Sequence, residues 1–299
     1  MNIIEIFKSF NTQEQAIEHL EKVRWGDEPV CPYCGSTAVG RHASGDRKIQ
    51  RLQCRDCTRA FSVTVGTLFH GTHIPLRNWF LVLALMLNAK KSASAYQIAR
   101  DLDMRRPTVW SMMHRIRTAM ATDAEQDRLL HGIVEADETY VGGKPRKGNN
   151  RDDDKPNKRG RGTKKVPVIG AVERGGRVVA QVANPGDLSA KGIAKFIARF
   201  IDKAGTILIT DEYKGYQRVS RDMHHAVITH AECYADGVIH TNSIESFWAV
   251  IKRSWYGTHH HYSKKYMPLY IAEACYKYNR RTSSTAFNDS MRMFVGAVA

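Results

Sequence analysis

The chain has 299 residues, with 45 Lys and Arg against 30 Asp and Glu, a formal charge of +15 and a pI near 9.6. With 42% hydrophobic and 25% charged residues it can bury a core, which excludes global disorder, and roughly 100–200 residues per domain predicts two or three domains. The longest apolar run, Trp79–Leu87, is nine residues, against the ~20 a membrane helix needs. The opening MNIIEIFKSF lacks the basic, apolar and small-residue sequence of a secretion signal, so a cytoplasmic chain without a membrane is expected. The charge favours a polyanionic partner, most often nucleic acid; the alternative is a basic solvated surface, and charge alone does not decide between them.

In chain order, residues 1–27 predict an N-terminal helix. Asn11 with Glu14 three positions on resembles a capping box, and Ala16, Ile17, Leu20 and Val23 follow at helical spacing. Residues 28–68 carry Cys31 and Cys34 (CPYC) and, nineteen residues on, Cys54 and Cys57 (CRDC). Two residues between cysteines let a tight turn aim both thiolates at one metal, and two such turns complete a tetrahedron. Gly35 supplies the positive φ such a turn commonly needs. A disulfide framework fits badly without an oxidising compartment, and iron–sulfur sites use other spacings. A structural zinc ribbon is therefore expected, with short β pieces at Lys48–Gln53 and Ala60–Val65. Cys233 and Cys275 stand alone and read as buried packing residues.

Residues 69–125 read as helical. Leu76–Asn88 is a buried helix. Ala95, Ile98, Ala99 and Leu102 form one stripe, Asp103–Arg106 a turn, and Pro107 opens a second helix backed by Val109, Met112, Met113 and Ile116. This is a helix-turn-helix pattern. Arg105, Arg106, Thr108, His114, Arg115 and Arg117 would then face DNA, unless the pair is a plain helical hairpin with a basic face.

From residue 130 the pattern is α/β. HGIVEADETYVGG is a strand ending in a glycine turn, and Val166–Val172 and Arg177–Ala183 are two more. Leu188–Lys203 is a helix, Thr206–Thr210 a central strand, and Tyr213–Val219 a short helix. A strand at Ala226–Thr229 and a helix over Thr241–Trp255 complete the series. The order β-β-β-α-β-α-β-α implies a mixed sheet with flanking helices. Between the first two strands, residues 143–165 hold ten Lys and Arg, three Asp and no large apolar residue, net +7. This basic insertion reads either as a phosphate-gripping loop or as a solvated hairpin tip.

Three acids fall at significant places. Asp137 lies in the first strand, Asp211 directly after the fourth, and Glu245 in the first turns of the late helix. The first and fourth strands should lie side by side, bringing the acids together. Clustered carboxylates raise one another's pKa, and divalent cations relieve this; Mg²⁺ prefers carboxylate, water and phosphate oxygen. Glu135, Glu138 and Glu212 compete for the role, and alternation points Glu135 the same way as Asp137 and Glu138 the other way. Lys252, seven residues after Glu245, shares its helix face with Asn242 and Trp248 and could grip a phosphate.

VEADETYVGGK, LITDEYKGY and HTNSIESFWAVIKR, with CPYC and CRDC upstream and YKYNRR at Tyr276–Arg281, resemble the bacterial insertion-sequence DDE transposases with an N-terminal zinc ribbon. The resemblance runs from about residue 5 to 285. It implies an RNase H-like catalytic domain over 130–299, Mg²⁺ or Mn²⁺ on Asp137, Asp211 and Glu245, and Lys252 as an accompanying DNA contact. It also implies DNA strand cleavage and transfer at terminal inverted repeats, and a homodimer or higher oligomer on DNA, nucleoid-associated. Some relatives carry Asn in place of the third acid, which leaves Asn242 as an alternative to Glu245. The rival readings are a non-enzymatic zinc-ribbon and helix-turn-helix regulator, and a structure-specific nuclease of the same fold.

Overall fold

The computed structural model describes residues 3–42, 51–123, 128–143, 165–219, 223–228 and 239–296. Most of the basic insertion, Cys233 and part of the predicted strand Lys48–Gln53 lie outside them. Two compact units emerge: one of residues 1–89, 93–119 and 282–299, the other of 90–92 and 120–281.

The first unit opens with two helices where the sequence predicts one, α1 (Ile3–Ser9) and α2 (Gln13–Trp25). The capping box is one residue later than expected: Thr12 Oγ1 accepts from Gln15 N, and Gln15 Oε1 accepts from Thr12 N. Three short antiparallel strands follow: β1 (Val39–Arg41), β2 (Leu52–Cys54) and β3 (Ala60–Phe61). Cys31, Leu52, Cys54 and Phe61 make their small core. Then come α3 (Leu76–Asn88), as predicted, α4 (Ala95–Asp101), capped by Ser94 Oγ, and α5 (Arg106–Ala121). A late helix, α9 (Ala286–Gly296), also belongs to this unit, whereas the sequence reading assigned all of 130–299 to one domain. Phe69 and Phe80 explain why: their rings meet Phe294 and Phe287 edge-on at 6.3 and 6.1 Å, and Leu68 N donates to Phe294 O.

The second unit is a five-stranded mixed sheet. Its strands are β4 (Leu130–Val141), β5 (Val166–Glu173), β6 (Val178–Val182), β7 (Ile201–Asp211) and β8 (His224–Ile228), ordered β6-β5-β4-β7-β8. β4, β5 and β6 pair antiparallel, while β7 lies parallel to β4 and β8 parallel to β7. With α6 (Ala190–Phe200), α7 (Asn242–Arg253) and α8 (Met267–Asn279) flanking it, this is the expected α/β, RNase H-like layout. Where a short helix is predicted at Tyr213–Val219, the chain makes a 3₁₀ turn at Lys214–Tyr216.

The pleat of β4 divides two cores. Val134 and Ala136 pack with Ile193, Phe196 and Ile197 of α6. On the opposite face Val141 joins Phe247, Trp248 and Ile251 of α7 and Ile271 of α8. Odd-numbered residues of β4 therefore face α7. Cys275 is wholly buried in this second core, its thiol pushed up to about 12 by burial, as its packing role requires. Among the described residues no helix is long and apolar enough to cross a membrane.

Candidate active site and metal-binding ribbon

Four sulfurs converge in the first unit. Cys31 Sγ lies 3.6 Å from Cys57 Sγ, Cys34 Sγ 3.6 Å from Cys54 Sγ, and all four close to within 4.8 Å of one another. A disulfide would need about 2.05 Å, while zinc arms of about 2.3 Å arranged tetrahedrally give edges near this spacing. Gly35 turns the first pair at φ 74°, and Thr58 plays the same part after the second at φ 61°. Tyr33 N and Cys57 N each donate to a cysteine sulfur at 3.5 Å, orienting Cys31 and Cys54. The backbone N–H of Cys57 favours the Cys54 thiolate and holds its pKa down to about 7. Cys34 rises to about 12: Ser36 N–H favours its thiolate, but burial and the three neighbouring thiols outweigh that. The donor set and spacing are those of structural zinc.

In the second unit the sheet register brings two acids side by side. Glu135 pairs with Ile209 across β4 and β7, so two residues further along both strands come Asp137 and Asp211. Burial pushes the Asp137 carboxyl up to about 7, and the charges of Glu138 and Asp211 add to the rise. Against them, Trp248 Nε1 donates to Asp137 Oδ2 at 2.9 Å. Asp211 Oδ1 also accepts from Tyr213 N at 3.1 Å, which turns the chain out of the strand.

Glu245 is exposed in the first turn of α7, and its Oε1 accepts from Thr241 Oγ1 at 3.0 Å. Among the described residues the three acids do not close into a group as the four sulfurs do. Asn242 and Lys252 are exposed on the same helix. Trp248 departs from that company: it is buried, 3% exposed, and turns inward to Asp137.

The competing acids have other partners. Glu138 faces the α6 side, where the buried Tyr216 hydroxyl donates to it at 3.4 Å. Glu135 is fully buried and accepts from Arg174 Nε at 2.7 Å, Ser243 N at 2.7 Å and Ile244 N at 3.0 Å. Sequence reasoning had Glu135 on the correct face but missed its partners. Arg174 sits at a hairpin tip 39 residues away, with no spacing to reveal it.

The arginines expected to face DNA around α5 divide. Arg105 and Arg106 are exposed. Arg115 is half-buried, donates to the Leu68 and His70 carbonyls, and lies 5.2 Å from the Trp79 ring centre, so it is committed to the fold. Arg117 is 1% exposed, and the expectation that it contacts DNA is corrected. His114 is likewise buried, with Nδ1 3.0 Å from Trp110 O.

The family described as ISXO2-like transposase domain matches residues 129–279, and that described as transposase zinc-ribbon domain matches residues 11–60. The chain belongs to the ISXO2-like transposases. This transposase is 29% identical over 274 residues to "Uncharacterized protein in transposable element ISH50" of Halobacterium salinarum (strain ATCC 700922 / JCM 11081 / NRC-1), covering 88% of the transposase and 90% of the relative. Among solved structures it resembles "Crystal structure of the Mos1 Strand Transfer Complex", at 13% identity and TM-score 0.30 over 72% of the transposase and 74% of that chain. It also resembles "Crystal structure of the mariner Mos1 paired end complex with Mg", at 14% and 0.29 over 73% and 76%. These two likenesses are too low in score to bear on the chemistry.

Proposed function

We propose that the transposase cleaves DNA at the ends of its insertion element and joins the freed ends to target DNA, using Asp137, Asp211 and Glu245 to hold Mg²⁺ or Mn²⁺. The observation that carries this reading is the β4–β7 register, which runs Asp137 and Asp211 side by side, with α7, whose first turn carries Glu245, packed against β4. Carboxylates are the donors that hard divalent cations prefer, and the Asp137 pKa is raised by burial first and then by the charges of Glu138 and Asp211. When bound, such cations supply Lewis-acid stabilisation of the attacking and leaving oxygens in phosphoryl transfer.

The protein's own contributions are charge, position and grip. Trp248 fixes the Asp137 carboxylate, and the Tyr213 backbone fixes that of Asp211. Lys252, about two turns along α7 from Glu245, holds a backbone phosphate as a point charge. Arg105 and Arg106 contact DNA from the helix-turn-helix, and the insertion 143–165, at net +7, grips phosphates. The ribbon binds one Zn²⁺ through Cys31, Cys34, Cys54 and Cys57 and keeps the end-recognising unit folded. Two ends must be joined together, so the working form is at least a dimer on DNA, associated with the nucleoid.

The test uses DNA carrying the two ends that flank the element, incubated with protein and Mg²⁺. Wild type is expected to nick at each end and yield joined products, while Asp137→Asn and Asp211→Asn bind the ends without cutting. Cleavage by either variant at the wild-type rate overturns the assignment. Cleavage by wild type with no joined product would make the chain a nuclease instead.

A further inference from the structure

Helix α7 has an unusual start. Its N-cap residue, Thr241, makes no side-chain capping bond to the first turn. Its hydroxyl is turned to Glu245 instead. The orphan N–H groups of Ser243 and Ile244 are satisfied by Glu135 Oε2, from the strand below. A carboxylate here also meets the positive end of the helix dipole. Its other oxygen takes Arg174 Nε at 2.7 Å and lies 3.4 Å from His240 Nδ1, so it is held from the far side too. Helix capping is ordinarily local; here it ties α7 to β4.

A second tie lies just over one turn further on, where Trp248 Nε1 donates to Asp137 Oδ2. Room for the indole comes from Gly170, the residue paired with Asp137 across β4 and β5. A Cβ at Gly170 would stand 2.6 Å from Trp248 Cη2 and 3.0 Å from Val179 O. Glu135 and Asp137 are two residues apart on one face of β4, and Ile244 and Trp248 four apart on one face of α7. Glu245 stands between the two ties in sequence.

We propose that Glu135 and Trp248 are positioning residues, two attachments that set α7, and with it Glu245, at the spacing from Asp137 that a divalent cation requires, with Gly170 making the space for the second. This rests on the reading of Asp137 and Glu245 as cation ligands. Outer partners of metal-binding groups typically change metal affinity by about 10–100-fold when removed.

The experiment measures Mn²⁺ binding to full-length protein without DNA, from the electron spin resonance signal of the free ion. The melting temperature, end binding in Ca²⁺, and the Mg²⁺ dependence of strand transfer from a pre-cleaved end are measured alongside. Trp248→Phe keeps an aromatic ring but loses the N–H together with part of the indole's volume in the core. Gly170→Ala keeps the N–H and crowds the indole. Both disturb core packing and are expected to melt lower while staying folded. Mn²⁺ binding is expected to weaken about tenfold or more and the half-maximal Mg²⁺ concentration to rise similarly, with end binding held and high Mn²⁺ restoring strand transfer. Glu135→Gln is expected to do the same where it folds, and the other two variants read the same arrangement if it does not. Folded Trp248→Phe and Gly170→Ala proteins with wild-type Mn²⁺ affinity overturn the proposal, provided Asp137→Asn has lost Mn²⁺. If Asp137→Asn itself binds Mn²⁺ like wild type, the ligand assignment has failed rather than the positioning.

Discussion

Glu245 and Lys252 sit on one exposed stripe of α7, yet their losses should look different. Glu245→Gln takes a charged ligand from a hard cation, so it is expected to abolish strand transfer in Mg²⁺ and recover part of it in Mn²⁺. Lys252→Ala removes a phosphate contact, so the expected defect eases at low salt and ignores the metal. Asn242→Ala is the comparison: a metal-rescued loss there, with Glu245→Gln active, would move the third ligand to Asn242. Titrating the three against Mg²⁺, Mn²⁺ and NaCl on a pre-cleaved end separates them. At this scale the sequence was most legible in placement: the order of elements put Asp137 and Asp211 on neighbouring strands, as the β4–β7 pairing has them. It misled at Arg117 because positive charge was taken as a sign of exposure. The apolar stripe had the answer: Arg117 is four residues after Met113 and three before Met120, both fully buried.

Among the elements, α2 shows what a one-residue slip conceals. Asn11 with Glu14 and Thr12 with Gln15 both satisfy the capping pattern, and only the position of the first helical turn distinguishes them. Thr12→Ala is expected to cost about 1 kcal/mol, read as a lower urea midpoint with an unchanged slope for the first unit, while Asn11→Ala changes little. The ribbon was legible from cysteine spacing alone, but the strand expected over Ala60–Val65 stops at Phe61, since sulfur geometry and a core of a few side chains order it. Its stability should accordingly be a metal property. Elemental analysis is expected to give one zinc per chain. Chelation should release amide protection near residues 28–66 and leave the sheet of the second unit protected, because structural zinc contributes ~10–16 kcal/mol of apparent binding energy to such folds. The predicted strands and helices of the second unit were readable because alternation and 3.6-residue periodicity persist there over whole elements. The cap from Glu135 to α7 was not, because its partners are 108 and 109 residues apart.

For the whole molecule, the division into units follows side-chain packing more than chain order. Removing residues 282–299 takes Phe287 and Phe294 away from Phe80 and Phe69. The first unit is expected to lose protection in hydrogen exchange and to be cut by protease across α1–α3, while β4–β8 stay protected. If α1–α3 keep wild-type protection, α9 contributes nothing to that core. Nothing in the sequence marks α9 as belonging to the first unit: it is an ordinary amphipathic helix, and amphipathicity says that a face is buried without saying against what.

This packing has a consequence in time. A ribosome adding about 5–20 residues per second needs roughly 10–35 s to travel from the end of the helix-turn-helix segment through α9. Throughout that interval most of the first unit is made but lacks its closing helix, while the sheet unit, contiguous apart from residues 90–92, assembles as it emerges. The nascent Phe69 and Phe80 surface is therefore a target for chaperones until translation has passed residue 296.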